Sequence, residues 1–173
     1  SFLKLNPQGF VPALEDGPAV LTQSLAIIDY LDETHPEPPF LPRTPAGRAR
    51  VRALALAVAC DIHPLNNLRV LVYLKEVLKV TTAQHDAWYC HWINEGFNAI
   101  ERMLQSSETG RFCHGNAPTL ADICLVPQVF NAKRLMNDAD LAVYPTLMRI
   151  FGECMKLDAF DSAQPSKQPD AEP

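Results

Sequence analysis

Four short segments carry the residue types able to hold a small charged molecule. The first is HPLNNLR, His63 to Arg69, with an imidazole, two amides and a guanidinium close together. On a helix, His63, Asn66 and Asn67 stand three and four residues apart and share a face. An apolar helix does not gather such groups without satisfying them, so the segment makes either ligand contacts or hydrogen bonds between domains. Pro64 removes an N–H and collides with the carbonyl of Cys60, which predicts a kink or restart. On an unbroken helix Arg69 falls about 120° away from the His63 face.

The second segment, Gln23-Ser24, stands at the entry to a helix, where free backbone N–H groups favour an anion. A plain helix cap is the alternative there. The third, Val11-Pro12, places a proline in a β-type run, which confines it to an edge, a strand start or a bulge. The fourth is Lys133-Arg134 at the end of a helix, where a cation is favourable with or without a ligand. Cys60, Cys90, Cys113, Cys124 and Cys154 are odd in number, widely spread and contain no CxxC pair. That usage predicts reduced thiols in a cytoplasmic protein. Cys90-His91 and Cys113-His114 lack the usual zinc-ligand spacing, so no metal site is expected.

The elements that position these residues follow from periodicity. Val11–Glu15 and Ala19–Leu21 read as strands joined at Asp16-Gly17, a hairpin signal. QSLAIIDYLDE follows, with Ile27, Ile28 and Leu31 on one face, a helix that packs on the hairpin. Five prolines between His35 and Pro45 mark a stiff linker. Beyond it all is helical. Thr44 caps a helix with Pro45 at its first position and Val51, Leu54, Ala55, Val58 and Ile62 on its inner face. A second helix starts near Thr81 or Thr82 and runs through Trp88, Trp92 and Phe97 to about Leu104.

A third helix opens at PTLADIC, where Thr119 caps and Asp122 returns a bond; it is interrupted by Pro127 and ends at Arg134. A fourth follows Tyr144-Pro145-Thr146. The expected division is 1–35, a linker over 36–45, a helical domain over 46–160 and a flexible tail over 161–173.

With 173 residues and a net charge of -5, the chain lacks the basic field of a general nucleic-acid binder. A local cationic pocket for an acidic small molecule stays compatible with that charge. The longest apolar run, Ala53 to Cys60, is far short of a membrane span. A lone two-stranded hairpin is marginal in water, so further strands are expected beside it, upstream or from another chain.

The blocks NPQGFVPAL, TQSLAIIDYL, CDIHPLNNLRVLVYL and PTLADICLVPQVFNAKR, in this order, resemble the zeta class of the glutathione S-transferase superfamily. The resemblance implies an α+β fold: part of a thioredoxin-like domain, then an all-α helical bundle. It also implies that the chain starts after the family's opening β-α-β unit, which holds the sulfur-activating serine-rich loop. Pro12 then matches the family's cis proline, and Val11 offers its N–H and C=O to the cysteinyl backbone of glutathione. Gln23 and Ser24 hold the γ-glutamyl carboxylate. His63, Asn67, Leu68 and Arg69 lie at the glutathione site, with His63 also catalytic, and Arg134 meets a substrate carboxylate, with Lys133 as the fallback. The implied reaction is glutathione-dependent cis–trans isomerisation of maleylacetoacetate, a dicarboxylate, by reversible thiolate addition, in a cytoplasmic homodimer. Maleylpyruvate isomerisation and general glutathione transfer are the nearest alternatives, and Leu68 leans toward the first substrate. A truncated, non-catalytic interaction module is the alternative of another class.

Overall fold

The computed structural model describes residues 2–169 and 171 and divides into two compact units, Ser1–Leu41 and Pro42–Pro173. The boundary falls inside the proline-rich segment.

In the first unit, β1 (Ala13–Asp16) and β2 (Ala19–Thr22) pair antiparallel, with Ala13 opposite Thr22 and Asp16 opposite Ala19. The two-residue loop is therefore Gly17-Pro18, one position later than the Asp16-Gly17 expectation. Gly17 has φ +55°, and a loop with positive φ at its first residue matches the right-handed twist of the strands. Pro18 fits the second loop position because its fixed negative φ is what that position needs. The strand also starts later than expected: Val11 and Pro12 precede the ladder. Helix α1 (Ser24–Thr34) packs on β2, burying Ile27, and Asp32 accepts the Phe40 N–H at 2.6 Å.

The second unit is a helical bundle: α2 (Pro45–Asp61), α3 (Leu68–Val72), α4 (Thr82–Met103), α5 (Leu120–Ala132), α6 (Asp138–Leu141), α7 (Pro145–Cys154) and α8 (Asp158–Ser162). Thr44 caps α2, its hydroxyl accepting from the Gly47 N–H, and the five inner-face residues expected there are all buried. Thr81 and Gln84 form a reciprocal cap on α4. Helices α2, α4, α5 and α7 enclose the core, where Ile93, Phe97, Val129, Leu147 and Ile150 are fully shielded. Glu101 of α4 accepts the Thr146 and Leu147 N–H groups, so a carboxylate from one helix caps the start of α7.

Three details depart from expectation. Helix α5 runs unbroken through Pro127 and stops at Ala132, leaving Arg134 in the turn beyond it. A π turn (Tyr73–Val77) follows α3 with no sequence signal for it. From Asp161 the chain, expected to be a flexible tail, carries the end of α8 and a 3-10 turn at Pro165–Lys167, with Asp161 accepting from Gln164 and Lys167.

Candidate functional site

In the first unit the Val11–Pro12 bond is cis, and Val11 is 83% exposed. The segment before it is shaped by buried Asn6, whose amide donates to the Phe10 carbonyl and whose oxygen accepts the Gln8 N–H. Because pairing starts at Ala13, the Val11 peptide groups lie outside the ladder and suit an extended partner. Gln23 precedes α1 with φ +72°, an uncommon conformation for a non-glycine residue. Its amide donates to Gln8 Oε1 at 2.6 Å rather than capping the helix. Ser24 is the first helical residue and not the cap. The start of α1 thus keeps N–H groups with no side-chain cap, which suits a carboxylate.

In the second unit the helix carrying His63 breaks. Helix α2 ends at Asp61, His63–Leu65 forms a 3-10 turn, and α3 begins at Leu68. The break corrects the shared-face expectation for His63, Asn66 and Asn67, since no continuous helix sets their directions. It likewise removes the 120° offset expected for Arg69. Asn67 has extended backbone and caps α3, accepting the Arg69 N–H at 3.1 Å. His63, Leu68 and Arg69 are exposed. Asn66 points elsewhere: its amide donates to the Tyr89 carbonyl of α4 at 3.0 Å. The Trp88 indole N–H donates to the Leu65 carbonyl at 3.0 Å. Neither Trp88 nor Tyr89 is distinguishable in sequence from ordinary core aromatics at helical spacing.

Arg134 and Lys133 border a cavity of about 710 Å³ at the end of α5. Phe130 contributes an apolar wall, and Pro165, Ser166 and Gln168 line it from the C-terminal segment. Two cations beside an apolar surface make a place for a small carboxylic acid. Lys133 also lies over the Phe151 ring and pairs with exposed Asp138 at 3.6 Å, a surface contact too weak to shut out a competing carboxylate.

The sequence profile described as "Glutathione S-transferase, N-terminal domain" matches residues 1–39. A probable maleylacetoacetate isomerase of Vibrio cholerae is 49% identical over 98% of this chain and 78% of its own length. A holo maleylpyruvate isomerase structure, a bacterial glutathione S-transferase of the zeta class, superposes with TM-score 0.95 at 48% identity, over 99% of this chain and 80% of that one. The maleylacetoacetate isomerase of Methylobacterium extorquens AM1, with bound malonate and glutathione, gives TM-score 0.93 at 43% identity, over 99% and 80%. The chain belongs to the zeta class of the glutathione S-transferase superfamily. Its fold is that of a glutathione S-transferase, and its relatives are enzymes that use glutathione.

Zeta-class chemistry depends on a thiol, and this chain's own cysteines are poorly suited to supply one. Burial pushes the Cys124 thiol up to about 11 and that of Cys154 up to about 12, the latter helped by neighbouring Asp122. Cys113 is shifted up further by the same two causes, and Cys90 upward mainly by burial. A thiol with a raised pKa holds less nucleophilic thiolate. Only Cys60 is exposed. Titration of the native protein with an aromatic disulfide at pH 8 is therefore expected to register one fast thiol, and five after denaturation. A second fast thiol would point to half-buried Cys90 or Cys124, and a fourth would require the fold to open around buried Cys113 or Cys154. Among the described residues no three His, Cys, Asp or Glu side chains converge to hold a metal, and no helix is long and apolar enough to cross a membrane.

Proposed function

We propose that the chain catalyses glutathione-dependent cis–trans isomerisation of maleylacetoacetate to fumarylacetoacetate. The supporting observation is the cavity bordered by Arg134 and Lys133 in a chain whose relative holds malonate and glutathione. Glutathione, when bound, supplies a thiol that adds reversibly across the substrate double bond and leaves again. The exposed Val11 peptide and the uncapped start of α1 fit such a tripeptide, whose backbone needs a pairing edge and whose carboxylate needs N–H donors.

Val11 takes its backbone, and Gln23 and Ser24 take its γ-glutamyl carboxylate. His63, Asn67, Leu68 and Arg69 complete the glutathione contacts, and the exposed His63 imidazole also takes part in catalysis. Arg134 fixes one substrate carboxylate, and its fork of donors suits a planar anion. In this reading 1–35 supplies Val11, Gln23 and Ser24, and the helical region 46–160 supplies His63, Asn67, Leu68 and Arg69 together with the substrate cation Arg134. A cytoplasmic homodimer belongs to the same proposal; five unpaired cysteines agree with a reducing compartment.

Maleylpyruvate is the second reading, favoured by the likeness to the holo maleylpyruvate isomerase. Parallel isomerisation assays on both diacids with glutathione decide between them, and the larger kcat/KM is expected with maleylacetoacetate. In the same assay Arg134→Met is expected to lower diacid kcat/KM by about 10- to 100-fold, the worth of a lost charge-assisted hydrogen bond. No turnover of either diacid, or an Arg134→Met enzyme as active as the parent, would sink the reading.

A further inference from the structure

Tyr89, near the middle of α4, is 6% exposed and makes two polar contacts in opposite directions. Its main-chain carbonyl accepts the Asn66 amide at 3.0 Å, which anchors the turn between His63 and Asn67. Its phenol donates to the Asn131 carbonyl at 2.9 Å, in the last turn of α5. That same carbonyl accepts the backbone N–H of Arg134 at 3.1 Å. One oxygen therefore ties the Tyr89 hydroxyl to the main chain of the cation beside the cavity.

The geometry points to Tyr89 as a positioning residue that sets Arg134 for a dicarboxylate while leaving the thiol-tripeptide segment to a separate anchor. This inference rests on Arg134 binding a substrate carboxylate, as proposed above. Three features carry it. Arg134 lies in the turn beyond the end of α5, where its N–H bonds the Asn131 carbonyl three residues back instead of continuing the α-helical ladder, so this one oxygen serves both the turn and the Tyr89 hydroxyl. Burial pushes the Tyr89 phenol upward from its ordinary value, and the Arg134 guanidinium pulls it back. The phenol therefore remains a protonated donor at neutral pH, close enough for the Arg134 charge to act on it. Finally, the second contact uses the Tyr89 main chain, so a side-chain change separates the two anchors cleanly.

Tyr89→Phe keeps the ring, its packing and the carbonyl bonded to Asn66, and removes only the hydroxyl. Calorimetric titration of the intact protein with malonate is expected to show affinity weakened about five- to tenfold, the worth of one net hydrogen bond. Glutathione affinity is expected to stay within about twofold. The mirror variant, Asn66→Ala, is expected to weaken glutathione and leave malonate unchanged. Arg134→Met is the control for the underlying reading and is expected to weaken malonate more than Tyr89→Phe does.

If Arg134→Met weakens malonate and Tyr89→Phe does not, positioning by Tyr89 is wrong. If Tyr89→Phe weakens both ligands alike, the hydroxyl merely steadies the bundle and the inference also falls. If Arg134→Met leaves malonate unaffected, the fault lies in the assignment of Arg134, and the role of Tyr89 is overturned with it.

Discussion

Asp122→Ala is expected to remove about 3–5 kcal/mol of stability, read as a shift of the urea midpoint at unchanged slope. The Asp122 carboxylate is completely buried and accepts from three strong donors: the Thr119 N–H at 2.8 Å, the Thr119 hydroxyl at 2.9 Å and the Cys113 N–H at 2.9 Å. The Cys154 thiol stands at 3.9 Å as a fourth. Alanine deletes every acceptor while leaving both N–H groups in place, and each orphaned buried donor costs about 1–3 kcal/mol. Against a total of about 5–15 kcal/mol for a typical protein, that loss is large. Asp122→Asn keeps one carbonyl oxygen and is expected to lose distinctly less. An alanine variant within about 1 kcal/mol of the parent would mean that water replaces the carboxylate, contrary to the sealed geometry.

The second large effect is Gly96→Ala. In an exposed helix interior this change stabilises by about 1 kcal/mol, because alanine is the better helix former. Here the sign reverses. A Cβ on Gly96 would overlap Cγ1 and Cδ1 of Ile62, which is fully buried and follows directly on α2. Overpacking of this kind costs about 1–3 kcal/mol, and the strain is delivered next to His63. Thermal unfolding of Gly96→Ala is expected at lower temperature than the parent. Pairing it with Ile62→Ala is expected to give a favourable coupling energy, since the truncated side chain makes room. A Gly96→Ala protein more stable than the parent would show that α4 and the end of α2 separate easily.

Much of the bundle was legible because its signals are local. Thr44-Pro45, the Thr81-Thr82 pair and Thr119 with Asp122 each announce a helix start, and the three helices begin there, at Pro45, Thr82 and Leu120. The inner face of α2 was readable for the same reason: period 3.6 survives wherever a helix is continuous. The His63–Arg69 arrangement was not readable, although Pro64 correctly signalled a break. Once a helix breaks, side-chain directions depend on what catches the loose turn, and here the Trp88 indole and the Tyr89 carbonyl do so from another helix. The hairpin loop missed by one residue because Asp-Gly and Gly-Pro are overlapping signals, and only the register Asp16 opposite Ala19 decides between them. The structure between Asp161 and Gln168 was hidden because it rests on scattered polar side chains, Asp161, Gln164, Lys167 and Gln168, rather than on an apolar stripe.

The two contacts of Tyr89 would be inherited on different terms. Any amino acid at position 89 brings a main-chain carbonyl, so the bond from Asn66 survives almost every mutation there. The bond to Asn131 needs a phenol, which one amino acid alone provides. A substitution at position 89 therefore breaks the tie to the main chain of Arg134 and spares the turn held through Asn66, whereas a substitution at Asn66 does the reverse.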